Sequence, residues 1–239
     1  MLPHGHGGRN AVRIAPLLAA VLAGHACADI VTLADKQRIE GTVKEITADH
    51  VGLGTDSVYP LPGVLNIRFS RAPVVAQPSG VVLTDGSRFC GRVREIGPGQ
   101  IVFRGVSLGE VRIPLKDVAY LYLGAAPDAP PPPPPAGTVR LRLKTGVVRD
   151  GTMFGVSPNR ILLRTAESLE KFDLGDVFYV VFAAPKAGAG IVLRNGDRIH
   201  QAVTWVPGGF NVAIGDRPVF LGLDTVQEMT FDKTTEQKG

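Results

Sequence analysis

Apolar and polar positions alternate in short runs along most of this chain, and one arrangement of them occurs four times. Segments 30–69, 81–123, 141–182 and 191–231 each read apolar-x-Leu, a polar turn, then apolar-x-Gly-x-apolar. A loop, an apolar hairpin and a closing Val-x-x-apolar-x-apolar follow. Alternation with a period of two predicts half-buried strands, and a recurring unit predicts a repeat architecture.

The registration is tight. Leu33, Leu83, Leu143 and Leu193 end the first apolar pair at offsets of 50, 60 and 50, with Val31, Val81, Leu141 and Ile191 two residues earlier. Polar turns follow at Asp35-Lys36, Asp85-Gly86, Thr145-Gly146 and Asn195-Gly196. Asp-Gly and Asn-Gly suit the positive φ of a tight hairpin; Lys36 departs from that chemistry. The second strand carries Gly41, Gly91 and Gly151, with Gln201 as the exception. Glycine inside a strand marks a bend or a close backbone approach. A third strand falls at Val51/Leu53, Ile101/Phe103, Ile161/Leu163 and Val212/Ile214. The closing valines are Val64, Val118, Val177 and Val226. No amphipathic helical run is present in these segments. The expectation is an all-β fold of four tandem small barrels, about five short strands each, arranged as two pairs.

The connectors lack alternation. Residues 71–80 and 183–190 are rich in Pro, Ala and Gly, and 125–137 holds six consecutive prolines, Pro130 to Pro135. Such a run predicts a polyproline II rod of about 19 Å acting as a spacer. The expected organisation is a signal peptide at 1–28, units at 29–71 and 80–124, the proline-rich linker at 125–137, units at 138–183 and 190–232, and a polar tail at 233–239. The halves on either side of the linker are expected to fold separately.

Arg9 and Arg13, an apolar stretch at 14–23 and Ala26-Cys27-Ala28 have the form of a signal peptide. Its apolar core is too short to span a bilayer, so the chain is expected to be secreted or periplasmic, cleaved after Ala28, with no integral membrane segment. Removing two arginines from 26 basic residues leaves 24 against 22 acidic ones, a net charge of +2. That is no nucleic-acid footprint. Segment two carries +2 and segment three +1, and one and four −1 each. Cys90 is then the single cysteine of the mature chain, aligned with Glu40, Asp150 and His200. Those counterparts predict an outward, accessible thiol and exclude an internal disulfide.

Segment two, VVLTDGSRFCGRVREIGPGQIVFRGVSLGEVRIPLKDVAYLYL, resembles the Sm-like family of small β-barrels. In that family a strand ends in Asp-Gly or Asn-Gly, and a bent second strand carries Gly. Segment four is similar to the bacterial Sm-like RNA chaperones through Leu193-x-Asn195-Gly196. The resemblance implies small barrels over nearly the whole mature chain. It also implies RNA binding, through polar and aromatic residues after the second strand and a basic loop before the last. Here those loops are Gly97-Pro98-Gly99-Gln100 or Ser157-Pro158-Asn159-Arg160, and Leu115-Lys116-Asp117 or Leu174-Gly175-Asp176. An acid stands where the basic residue is needed, so the fold is expected to carry over without the function.

No local catalytic motif is present. His50 and His200 lack the partners of a metal set. Asp117 and Asp176 occupy a position filled by Gly63 and Thr225 elsewhere, which makes them turn formers. No cofactor is expected. Trp205 is the single tryptophan, aligned with Glu45, Glu95 and Gly155, and Pro207-Gly208-Gly209 then presents Phe210. Trp205 and Phe210 are the candidate partner contacts, Trp205 either facing outward or filling a seam against segment three. The leading reading is a non-enzymatic exported scaffold contacting an envelope protein or polysaccharide. Its rivals are a nucleic-acid-binding Sm-like module and an accessory subunit or enzyme of an envelope complex.

Overall fold

The computed structural model describes residues 28–74, 78–97, 99–157, 159–186, 188 and 190–231. The signal-peptide reading and the polar tail lie outside them. Among the described residues the fold is all-β, with no helix of seven residues or more and no closed barrel. Segment one comprises β1 (Asp29–Leu33), β2 (Arg38–Gly41), β3 (Val43–Ile46), β4 (His50–Leu53), β5 (Ser57–Pro60) and β6 (Val64–Arg68). Segment two has β7 (Gly80–Leu83), a long β8 (Arg88–Gly97), β9 (Gln100–Gly105), β10 (Gly109–Pro114) and β11 (Val118–Tyr122). Segment three matches it, with β12 (Val139–Leu143), β13 (Val148–Ser157), β14 (Arg160–Arg164), β15 (Leu169–Asp173) and β16 (Val177–Val181). Segment four runs β17 (Ile191–Leu193), β18 (Arg198–Ile199), β19 (Val203–Val206), β20 (Gly209–Ile214), β21 (Arg217–Gly222) and β22 (Val226–Thr230).

Pairing recurs in all four segments. The closing strand and the second strand flank the first, and the bent second strand continues into a three-stranded meander. The strand before each closing strand pairs on one side only, so every ladder stays open. Short 3-10 turns precede the closing strands. In each, one backbone carbonyl (Gly63, Asp117, Asp176 or Thr225) accepts the N–H of Ala34, Thr84, Lys144 or Arg194. The bond uses backbone alone, which is why Asp, Gly and Thr interchange there.

Glycine serves the bend by its lack of a side chain. A Cβ on Gly91 would stand 2.7 Å from Gly105 Cα and closer still to the Arg104 carbonyl oxygen; Gly151 is hemmed in likewise by Arg164. In the preceding hairpin turn Gly86, Gly146 and Gly196 have φ of 93°, 92° and 86°. Lys36 takes the same left-handed conformation at 70°, at a cost of about 1–2 kcal/mol for a residue with a Cβ.

The order of segments in the ladder corrects the expected pairing. It runs three, two, four, one. Closing strand β11 pairs with β16 through Tyr120↔Val181, Leu121↔Val180 and Tyr122↔Tyr179. Closing strand β6 pairs with β22 through Arg68↔Glu228, Ile67↔Met229 and Asn66↔Thr230. In both junctions sequence counterparts oppose each other at the centre, Leu121 with Val180 and Ile67 with Met229, so each is two-fold in form. The proline run therefore does not separate independent halves. Arg140 donates to the Pro133 carbonyl oxygen at 3.2 Å, Pro131 is buried, and the run straps segment three. Arg140 also grips Asp150 through two bonds of 2.8 and 2.7 Å. Those bonds hold the Asp150 carboxyl below the ordinary carboxylate range.

Candidate functional site

A third two-fold junction joins segments two and four at the single pair Arg88↔Arg198. Ser87 Oγ accepts the His200 N–H at 2.9 Å, and the counterpart Asp197 Oδ1 accepts the Cys90 N–H. The linkers follow the same rule. Lys186 N–H donates to the Thr84 carbonyl and Val74 N–H to that of Arg194. Each half of the chain thus embraces the other. The Asn195-Gly196 element of the Sm-like resemblance is consumed by this contact: Asn195 and Asp197 are buried, and Asn195 Nδ2 donates to Ser107 Oγ and Asp197 Oδ2, both at 2.9 Å.

The same junction overturns the accessible reading of Cys90. Its side chain is 2 % exposed, with Sγ 3.7 Å from Tyr122 Oη. Burial, with the Asp197 carboxylate beside it, pushes the thiol up and away from reactivity. Cys90 aligns with polar residues, but segment four covers its face, and alignment within one chain carries no sign of that cover.

Asp197 is the residue that the sequence did not single out. Burial holds its carboxyl above the ordinary range, opposed by hydrogen bonds from Cys90, Asn195 and Ser107. A carboxyl raised on folding binds its proton more tightly in the folded state, so its contribution falls as pH rises from the unfolded value through the folded one. Asp197→Ala leaves the Cys90 N–H unpaired and is expected to cost about 2 kcal/mol at neutral pH. The gap between wild type and variant should widen as pH is lowered from neutral toward the ordinary carboxylate range. Denaturant melts at several pH values test this; a gap that narrows on acidification contradicts the assignment.

Trp205 lies further along segment four, and a bulge decides where it points. In segments one to three the ladder shifts between Val43 and Glu45, Val93 and Glu95, and Met153 and Gly155. Strand β19 pairs with β20 without a shift: Val203↔Val212, Thr204↔Asn211, Trp205↔Phe210 and Val206↔Gly209. Without the extra residue, Trp205 shares the face of Val203. It takes the place that Ile46 and Ile96 hold in their segments, opposite Val51 and Ile101. Phe210, expected at a partner surface, is 0 % exposed and belongs to the core. The indole meets its ring edge-on, centroids 5.6 Å apart at 67°.

Trp205 is larger than the isoleucines it replaces and remains half-buried, with its free side in a groove of about 720 Å³. One wall is Val203–Gly208 and the other Lys44–Asp49 of segment one. The seam thus faces segment one and not segment three. The first wall is largely apolar, through Val203, Trp205, Val206 and Pro207. The second offers the charges of Lys44, Glu45 and Asp49 and the hydroxyl of Thr47. His50 orders that wall by contacts of 3.1 Å from Nε2 to Glu45 Oε1 and from Nδ1 to Thr47 Oγ1. An apolar aromatic surface facing hydrogen-bonding groups can hold an amphipathic ligand.

A second cleft, of about 510 Å³, is lined by Gly91, Arg92, Arg94, Arg104, Gly105, Val106 and Gly109. Among the described residues no group of three His, Cys, Asp or Glu side chains has the arrangement of a metal site, and no helix is long and apolar enough to cross a membrane. Against protein-family models, curated proteins and solved structures alike, the chain finds no match.

Proposed function

We propose that this chain is a non-enzymatic exported scaffold of four Sm-like units that holds an envelope ligand, best a polysaccharide, in the groove between segments one and four. The observation that carries this reading is the half-buried indole facing Lys44, Glu45, Thr47 and Asp49 across an open groove. A sugar presents apolar C–H faces to an aromatic ring and hydroxyls to charged and hydroxyl groups, and this groove supplies both kinds of partner.

The test is a fluorescence titration of Trp205 with polysaccharide fractions of the envelope. Emission should shift on binding, and Trp205→Ala should weaken binding by about tenfold or more. The substitution should cost about 1–2 kcal/mol of stability, less than the 3–5 of a fully packed aromatic. Binding unchanged by Trp205→Ala sinks the groove as the site; a pull-down from envelope extract lost in the same variant would replace the polysaccharide with a protein. The nucleic-acid reading draws on one observation, the Arg92, Arg94 and Arg104 cleft in segment two. None of the three forms an ion pair among the described residues, although Glu110 stands opposite Arg104. A salt-dependent shift of single-stranded RNA, lost in Arg92→Glu, would favour it.

A further inference from the structure

Segments two and four meet edge to edge, and their junction defines what the same edge requires elsewhere. In both, the start of the second strand hydrogen-bonds to the first strand on one side and to the sister segment on the other. Segments one and three carry the same edge with no second strand paired to it among the described residues. Residues 148–151 of β13 pair with β12 alone, so one row of backbone groups faces outward, an arrangement that invites another strand.

The two free edges differ in chemistry. On segment three Val147 is 38 % exposed, where its counterparts Ser87 and Asp197 are 0 % exposed at the internal junction, and the adjoining Val148, counterpart of Arg88 and Arg198, is 44 % exposed. Of the eight large apolar side chains exposed among the described residues, four belong to segment three: Val147, Val148, Phe154 and Leu169. The charges that border the edge are satisfied within the segment, Arg149 by Glu170 at 3.4 Å and Arg140 by Asp150 at 2.7 Å. A second copy approaching about a two-fold axis therefore meets valines, flanked by charges already neutralised. On segment one the corresponding residues are Gln37 and Arg38, and neither Lys36 nor Arg38 is in an ion pair among the described residues.

We propose that the β13 edge of segment three pairs with the same edge of a second copy of this chain, Val148 facing its own counterpart as Arg88 faces Arg198 inside the molecule. The contact is isologous and closes on itself, so it yields a dimer and not a filament. Valines replace the two side-chain-to-backbone bonds of the internal junction.

Sedimentation and light scattering of the full chain across a wide concentration range are expected to show a monomer–dimer equilibrium. Val148→Asp should weaken it about 100-fold with the melting temperature unchanged, because the side chain is exposed in the monomer. Arg38→Asp should leave it as it was. In a Cys27→Ser background, Val148→Cys should cross-link into a covalent dimer on mild oxidation, Cys90 being buried, and this arm stands even if the aspartate variant misfolds. A strictly monomeric wild type, a dimer that survives Val148→Asp, one broken by Arg38→Asp, or no cross-link at position 148 would each overturn the proposal.

Discussion

Residues 29–124 and 137–239, each expressed alone, are expected not to yield stable monomers, and mixing them should restore a one-to-one complex with the unfolding transition of the intact chain. Cutting the proline run breaks no strand, but it removes from every closing strand its partner in another segment. β11 is buried along its whole length because segment three covers what segment two leaves open. Separation exposes Val82, Tyr120, Tyr122, Tyr179 and Val181, which form a second core across that junction. Full burial of each apolar side chain of this size contributes about 1.5–3 kcal/mol, so their joint loss, at most about 15 kcal/mol, is comparable with the 5–15 kcal/mol that stabilises an ordinary domain. The other half loses the β6–β22 ladder and the buried Ile67 and Met229. Light scattering of the separate halves should show aggregates, or homodimers that imitate the missing partner. Cooperative unfolding of either half as a monomer would disprove the embrace.

Gly91→Val should destabilise the protein by about 3 kcal/mol or more, while Gly97→Val costs about 1 or less. The two glycines sit in one strand and differ in surroundings. At Gly91 the first added carbon collides with the backbone of Arg104 and Gly105, which cannot move without tearing β9 from β8. At Gly97 the nearest atom is the Gln100 carbonyl oxygen, at 3.7 Å an ordinary contact. Both φ values lie outside the left-handed region, so crowding alone separates them. Equal losses in denaturant melts would show that the bend can be made without glycine.

Strand number, hairpin turns, bend glycines and the core positions Val31, Val81, Leu141 and Ile191 could be read from alternation, because each depends on local spacing. The identity of neighbouring segments could not. All four closing strands carry the same Val-x-x-apolar-x-apolar pattern, so nothing in the pattern distinguishes pairing of two with three from pairing of one with two. The prolines suggested a separator, yet the run is strapped to segment three by Arg140. Trp205 was placed among its counterparts by counting residues, and a bulge present in three segments and absent from the fourth moved it to the other face. Had the hairpin Pro207-Gly208 been aligned with Ala48-Asp49, the shift could have been inferred, since Trp205↔Phe210 then falls on Ile46↔Val51. Phe210 followed the same misalignment. Cys90 and Asp197 depend on a contact between residues 107 apart, which no local pattern encodes.

The ladder also fixes how the protein responds to tension. Strand β6 lies between β1 and β22 and runs antiparallel to both. A pull that draws the chain backward from Asp29 and forward from Thr230 slides the outer strands in opposite directions along β6. The hydrogen bonds of both ladders then resist together in shear, and do not open one at a time as in a zipper. Segments two and three hang outside the line of force. A chain tethered at one end and drawn at the other would hold its ends together by two short ladders, with the rest of the molecule unstretched until they give way.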